Sequence, residues 1–250
     1  MNFTKMQGLG NDFIVIVGPA EPGRNEILAW CDRRRGVGAD GLLAVTPMEN
    51  NRVGMRYWNA DGGEAEMCGN GLRCAARYAV AQGWVDSSSF AIQTAVGLLP
   101  VTVNEDGSVR ALLGRPTAGE RVEIDGLTLY TVGLGNPHAI QWVDNPQIAD
   151  VATIGPRIET DPAFAEGTNA EFASVSGPDE IELRVWERGV GETLACGTGA
   201  AATAFLARKQ GLVGDRVKIN LPGGALLVIL DDAGVWLEGP ADFVFSGSLY

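Results

Sequence analysis

A thirty-residue segment of this chain has a second, related copy. Residues 56–85, shifted by 128 positions, fall on 184–213, and twelve of the thirty pairs are identical. They are Arg56/Arg184, Trp58/Trp186, Gly63/Gly191, Glu64/Glu192, Cys68/Cys196, Gly69/Gly197, Gly71/Gly199, Ala76/Ala204, Ala79/Ala207, Gln82/Gln210, Gly83/Gly211 and Val85/Val213. Average composition would give about two. A second echo lies upstream, where Gly8-Leu9-Gly10-Asn11 recurs as Gly133-Leu134-Gly135-Asn136. Each half therefore carries G-L-G-N and, later, G-E-x-x-x-C-G-x-G. A chain duplicated in this way is expected to fold as two copies of one unit. With 250 residues, each copy has the size of a small domain.

Most segments read as strands. Val53–Asn59, Ile181–Glu187, Arg216–Asn220 and Ala225–Leu230 are rich in β-branched, aromatic or leucine residues. Turn signals at Glu105-Asp106-Gly107, Asp125-Gly126, Gly223-Gly224 and Asp231-Asp232-Ala233-Gly234 imply antiparallel neighbours. Two segments break the pattern. Gly71 to Gln82 and Gly199 to Gln210 read as helices, each stopped by a glycine, Gly83 and Gly211. The second is apolar on nearly every side, as a buried helix is. The expected fold is α+β, with two similar domains related by pseudo-two-fold symmetry. Each is a barrel-like, mostly antiparallel sheet around a central helix.

The repeat has kept its most reactive residue. Cys68 and Cys196 stand where a helix begins, before Gly69-Asn70-Gly71 and Gly197-Thr198-Gly199. Unpaired N–H groups and the positive end of the helix dipole favour a thiolate there. The same amides suit a carboxylate, and the glycines admit its close approach. Two such thiols acting on one carbon, with amides holding its carboxylate, make a two-base device for inverting a stereocentre. Cys31 and Cys74 lack this context and read as small buried hydrophobes.

Other motifs weigh less. Gly36-Val37-Gly38-Ala39-Asp40-Gly41 matches G-x-G-x-x-G, but a strand-like run follows it and Asp32-Arg33-Arg34-Arg35 precedes it. A dinucleotide fold needs the opposite order, so the segment reads as a turn. His138 is the single histidine. With no G-x-S-x-G elbow it does not indicate a serine hydrolase. A Cys–His hydrolase would leave one cysteine site without a purpose. Glu187-Arg188 and Asn59 end equivalent segments after Trp186 and Trp58, where an acid and a base can bind an ammonium and a carboxylate. A surface ion pair is the alternative there.

Composition removes further classes. The net charge of −12 repels phosphate backbones, so neither nucleic acid nor an anionic membrane is an expected partner. One histidine and no C-x-x-C pair leave no expected metal site. The three lysines, Lys5, Lys209 and Lys218, lack the Gly- or Ser-rich loop of a pyridoxal phosphate site. No cofactor is expected. Neither a signal peptide nor a membrane-length apolar run is read, and four cysteines are too few for a disulfide scaffold. The expected location is cytoplasmic.

Taken together, the motifs resemble the diaminopimelate epimerases, amino-acid epimerases that work without pyridoxal phosphate in lysine and peptidoglycan-precursor synthesis. The resemblance covers the whole chain. It rests on Lys5 to Phe13, Gly36 to Gly41, Asn59-Ala60-Asp61-Gly62, Met67-Cys68-Gly69-Asn70-Gly71-Leu72-Arg73, Gly135-Asn136-Pro137-His138, and the run Glu187-Arg188-Gly189-Val190-Gly191-Glu192-Thr193-Leu194-Ala195-Cys196-Gly197-Thr198-Gly199.

The resemblance implies the following. Cys68 and Cys196 are the catalytic pair. Gly69, Asn70, Gly197 and Thr198 supply backbone donors to the reacting carboxylate, and Glu187 holds the reacting ammonium. Asn11, Asn59, Asn136, Asn169 and Arg188 hold the substrate, diaminopimelate, and its distal end; His138 lies beside the site. The implied domains are 1–117 joined by a returning strand 240–250, and 118–239. A homodimer is compatible with the family. Gly41 stands where some members have Gln, and Ala170-Glu171 where many have Val-Asn, so local polar contacts are expected to differ. The alternatives are a racemase of another amino acid, like the proline racemases, and an amino-acid-binding module without turnover.

Overall fold

The computed structural model describes residues 1–65 and 68–249. Glu66, Met67 (part of the Cys68 motif) and Tyr250 (the last residue of the expected 240–250 strand) lie outside the described residues. The chain divides into two compact units, Met1–Ala111 with Gly239–Tyr250, and Leu112–Glu238.

The first unit runs β1 (Asn2–Gly8), β2 (Asn11–Val17), α1 (Arg24–Cys31), β3 (Gly41–Met48), β4 (Arg52–Asn59), β5 (Glu64–Ala65), α2 (Gly69–Ala81), β6 (Ser89–Thr94), β7 (Gly97–Val103) and the start of β8 (Val109–Gly114). The second runs β9 (Thr117–Ile124), β10 (Leu127–Gly133), β11 (Pro137–Trp142), α3 (Val151–Glu159), β12 (Asn169–Gly177), β13 (Glu180–Glu187), β14 (Gly191–Thr193), α4 (Gly197–Lys209), β15 (Arg216–Leu221), β16 (Gly224–Asp231) and β17 (Gly234–Gly239). The last strand, β18 (Asp242–Ser248), pairs with β1.

The duplication extends well beyond the thirty residues visible in sequence. In the first unit β1–β2 and β3–β4 are antiparallel, β2–β3 and β4–β6 parallel, and β6–β7 and β7–β8 antiparallel. In the second, β10–β11, β11–β12, β12–β13, β13–β15, β15–β16 and β16–β17 repeat this succession. Even the outer strand has its counterpart, with β18 beside β1 and β9 beside β10. The parallel pairs need a crossover, and α1 to α4 lie in those crossovers.

Two helices were not legible in the sequence. Helix α1 buries Ile27 and Cys31, and α3 buries Val151, Gly155 and Ile158, which is helical spacing. Both are short, and α3 carries Pro156 in its interior. They explain the continuous apolar run Phe13-Ile14-Val15-Ile16 of β2. Phe13 and Val15 pack toward α2, whereas Ile14 and Ile16 pack with Ile27 and Cys31 of α1. A strand covered on both faces has no polar side.

Each central helix is built from small residues so that strands can crowd around it. Ala75, Ala76 and Ala79 of α2 meet Met6, Leu43, Val45, Val53 and Ile92. Helix α4 buries Ala200, Ala201, Ala202, Ala204 and Ala207. Both end alike. Trp84 N–H donates to Ala79 O and Gly83 N–H to Val80 O, with Gly83 at φ +68°. Leu212 to Ala207 and Gly211 to Arg208 repeat this at α4. A left-handed residue closes the last turn in this motif, and glycine takes that conformation without strain. Among the described residues no helix is long and apolar enough to cross a membrane.

One charged cluster ties the first unit together. Lys5, almost fully buried, reaches Asp12 at 2.7 Å and the Gly38 carbonyl. Arg33 adds two hydrogen bonds to Asp12, at 2.7 and 3.0 Å. Burial alone would raise the Asp12 pKa; the Arg33 and Lys5 hydrogen bonds and charges outweigh it and hold it at about 2, from 3.8. A depressed carboxylate contributes stability that is present above its unfolded pKa and lost as pH falls through the folded one. Asp12→Asn should therefore cost at least about 2 kcal/mol in urea unfolding at pH 7. The difference from wild type should shrink between pH 4 and pH 2. An equal difference at both ends of that range would contradict the assignment.

Candidate active site

Both repeat cysteines cap the helices they precede. Cys68 Sγ accepts a hydrogen bond from Gly71 N–H at 3.4 Å, and Cys196 Sγ accepts one from Gly199 N–H at 3.4 Å. The helices begin at Gly69 and Gly197, two residues earlier than sequence suggests, so each sulfur sits at the helix mouth itself. Space beside both glycines is tight. A Cβ on Gly71 would lie 3.0 Å from Leu43 Cδ2, and one on Gly199 would lie 2.7 Å from Glu171 Oε1.

In the first unit the structure brings Asn11, Cys68 and Asn70 together. Asn11 Oδ1 faces Cys68 Sγ at 3.6 Å and accepts from Asn70 Nδ2 at 3.1 Å. Asn59 ends β4, exposed and opposite Gly41 in the ladder. A side chain at Gly41 would collide with the Tyr57 ring, 2.5 Å from a built Cβ. Tyr57 instead donates its hydroxyl to Asn59 Oδ1 at 2.6 Å.

The second unit gathers more residues. Asn136 Nδ2 donates to Thr198 Oγ1 at 3.3 Å, and Thr198 Oγ1 lies 3.5 Å from Cys196 Sγ. His138 Nε2 is 2.9 Å from Asn136 Oδ1, and its Nδ1 is 2.6 Å from Glu171 Oε1. Glu187, at the end of β13, accepts from Thr193 Oγ1 at 2.5 Å. Asn169 is almost fully buried and acts as a brace. Its Nδ2 donates to Pro137 O at 2.8 Å, and its Oδ1 accepts the Arg188 N–H at 3.0 Å. Arg188 itself is exposed and donates to Glu166 O at 3.0 Å.

Glu171 is the residue that sequence reasoning passed over. It appeared as a departure in local polarity, yet its side chain is fully buried and lies within hydrogen-bond distance of His138 Nδ1, at 2.6 Å. A carboxylate between Ala170 and Phe172 in β12 was the available signal, since such groups are rarely buried without a partner.

The electrostatics at Cys196 run against expectation. Its helix-mouth hydrogen bonds from Thr198 and Gly199 do favour the thiolate. Burial, followed by the Glu187 and Glu171 carboxylates, outweighs them and pushes the thiol well above its usual range. Glu187 is pushed up by burial as well, with Thr193 and Cys196 hydrogen bonds acting the other way. A helix end is a local feature; the two carboxylates arrive on β12 and β13 and are invisible to it.

The fold has known counterparts. The chain superposes over its full length on a Bacillus anthracis phenazine biosynthesis protein of the PhzF family, with a TM-score of 0.78 and 15% identity, covering 99% of that chain. It also matches a hydroxyproline epimerase from Agrobacterium vitis, with a TM-score of 0.74 and 16% identity, covering 100% of this chain and 90% of that one. Those likenesses define the architecture. Sequence defines the family: residues 3–118 and 130–244 match the diaminopimelate epimerase model, and the chain belongs to that family. It is 41% identical to the diaminopimelate epimerase of Pelotomaculum thermopropionicum and 42% identical to that of Desulforudis audaxviator. In each case the alignment covers 99% of this chain and 98% of the relative.

Proposed function

We propose that this chain is a cofactor-independent diaminopimelate epimerase that interconverts the L,L and meso forms by proton transfer at one α-carbon. The observation that carries this reading is the pair of cysteine-capped helix mouths, each sulfur hydrogen-bonded to a glycine N–H within its own unit. A proton on a carbon bearing an ammonium and a carboxylate is hard to remove, because the carbanion must be stabilised. Backbone amides at Gly69, Asn70, Gly197 and Thr198 would hold the carboxylate as it gains enolate character, with preorganised dipoles as the main contribution. Glu187 would neutralise the ammonium. One sulfur takes the proton as thiolate and the other, as thiol, returns one to the opposite face. In the reverse direction the roles exchange, and the two titrate as a coupled pair.

Arg188, Asn11, Asn59 and Asn136 would hold the substrate, with Asn169 bracing the Arg188 backbone and His138 beside Cys196. Reduced catalytic thiols suit the cytoplasm. A racemase of another amino acid on the same fold would have no use for Arg188. Epimerisation of L,L-diaminopimelate under reductant, with no turnover of L-proline, is the expected result. Arg188→Ala should lower kcat/KM for diaminopimelate by about a hundredfold, as loss of a charge-assisted contact at the distal end does. Turnover of proline, or an unaffected Arg188→Ala enzyme, would favour the racemase.

A further inference from the structure

The Asn11–Asn70 pair in the first unit is strung between two charges. At one end the Arg73 guanidinium, fully buried, donates from Nη2 to Asn70 Oδ1 at 2.9 Å and from Nε to the Pro240 carbonyl at 3.1 Å. At the other, Asp40 Oδ2 accepts from Asn11 Nδ2 at 2.8 Å. Between them Asn70 Nδ2 donates to Asn11 Oδ1. An amide has one end that donates and one that accepts, and its orientation follows from its neighbours. A guanidinium only donates, so it meets the oxygen of Asn70. A carboxylate only accepts, so it meets the nitrogen of Asn11. The two charges therefore impose one polarity on both amides, and that polarity turns the Asn11 oxygen toward the sulfur of Cys68.

The equivalent asparagine of the second unit has the reverse polarity. Asn136 keeps its oxygen on His138 and aims its NH2 group at Thr198, beside Cys196. The position equivalent to Arg73 is Ala201, so no guanidinium stands there. Repeat symmetry gives the two sulfurs the same helix mouth, while the side-chain network faces one with an acceptor and the other with a hydroxyl.

We propose that Asp40 and Arg73 are positioning residues, which fix the Asn70–Asn11 amides so that a carbonyl oxygen, and not an NH2 group, faces Cys68. For catalysis this rests on the epimerase reading above; for the sulfur itself it does not. An acceptor holds the proton on Cys68, whereas an NH2 group would stabilise the anion. Asp40 is suited to testing because its side chain is two-fifths exposed, and it otherwise meets Arg33 and the Asp12 N–H.

Alkylation by iodoacetamide at pH 7, followed by mass spectrometry of the two peptides, reports the relative reactivity of Cys68 and Cys196. In Asp40→Ala the Asn11 NH2 group loses its acceptor, and only the single hydrogen bond from Asn70 still holds the amide in its orientation. Cys68 labelling relative to Cys196 should then rise about threefold to tenfold, the latter being one pKa unit. Epimerisation should fall by about tenfold to a hundredfold, as misplacement of a reacting group does. Asp40→Asn, which keeps an oxygen for Asn11, should restore both. In an Asn11→Ala background, Asp40→Ala should have no further effect on the labelling ratio, because the effect passes through the amide. Asp40→Ser replaces Asp40→Ala if the latter is not recovered folded. An unchanged ratio in the folded variant, or a change that persists without Asn11, would overturn the proposal. A wild-type chain without epimerase activity but with the expected labelling pattern would instead reject the functional reading and leave the amide assignment standing.

Discussion

Replacing either Cys68 or Cys196 with alanine should abolish net epimerisation, a loss of at least about 10⁴-fold in kcat. In the proposed mechanism each sulfur serves one face of the α-carbon, and alanine can neither take nor give a proton. The loss should be as large in one direction of reaction as in the other. Circular dichroism should show both variants folded, because Cys68 and Cys196 are N-caps whose sulfur accepts a long, weak hydrogen bond of 3.4 Å. The double variant should be no worse than either single one, since groups acting as a unit are strongly non-additive. A single alanine variant that epimerised within tenfold of wild type would remove that cysteine from the mechanism.

Glu187→Gln is the second large effect. The carboxylate is held by Thr193 Oγ1 at 2.5 Å, and its isosteric amide keeps the shape without the charge. If it neutralises the substrate ammonium as the α-proton leaves, its loss should lower kcat by about 10²- to 10³-fold. The pH dependence carries a second sign. Burial raises the Glu187 pKa, so the carboxylate is lost at a higher pH than an ordinary glutamate would be. Wild-type activity should therefore fall on the acid side above the usual carboxyl range. In Glu187→Gln that acid limb should disappear, leaving a low and flat profile. An acid limb that survives the substitution would assign it to another group.

What the sequence made legible was the part of the site that the duplication preserved. The C-G-x-G mouths, their helices and their glycine stops stand out because both copies kept them. The remaining succession of strands is equally duplicated in the structure, yet its residues have diverged. Core positions need only be apolar and of suitable volume, so β2 and β11 share their place with little identity. Helices α1 and α3 were hidden by their length and, in α3, by Pro156. Glu171, Asp40 and Arg73 each meet a partner distant in sequence, namely His138, Asn11 and Pro240. The same reason explains the sign at Cys196. Local sequence predicts the dipole of a helix, but the carboxylates that outweigh it are delivered by other strands.

The central claim is that two groups, one for each face, move the proton. It is tested most directly by running the reaction in D2O to low conversion and measuring deuterium at the α-carbon of product and of recovered substrate. A waiting thiol has exchanged with solvent, so the product should carry deuterium from the first turnover. A proton taken by the substrate-side thiolate can return to the face it left before it exchanges, so recovered substrate should stay largely unlabelled. The same asymmetry should appear starting from either isomer. Product without solvent deuterium, or substrate and product labelled alike at low conversion, would contradict the two-thiol account.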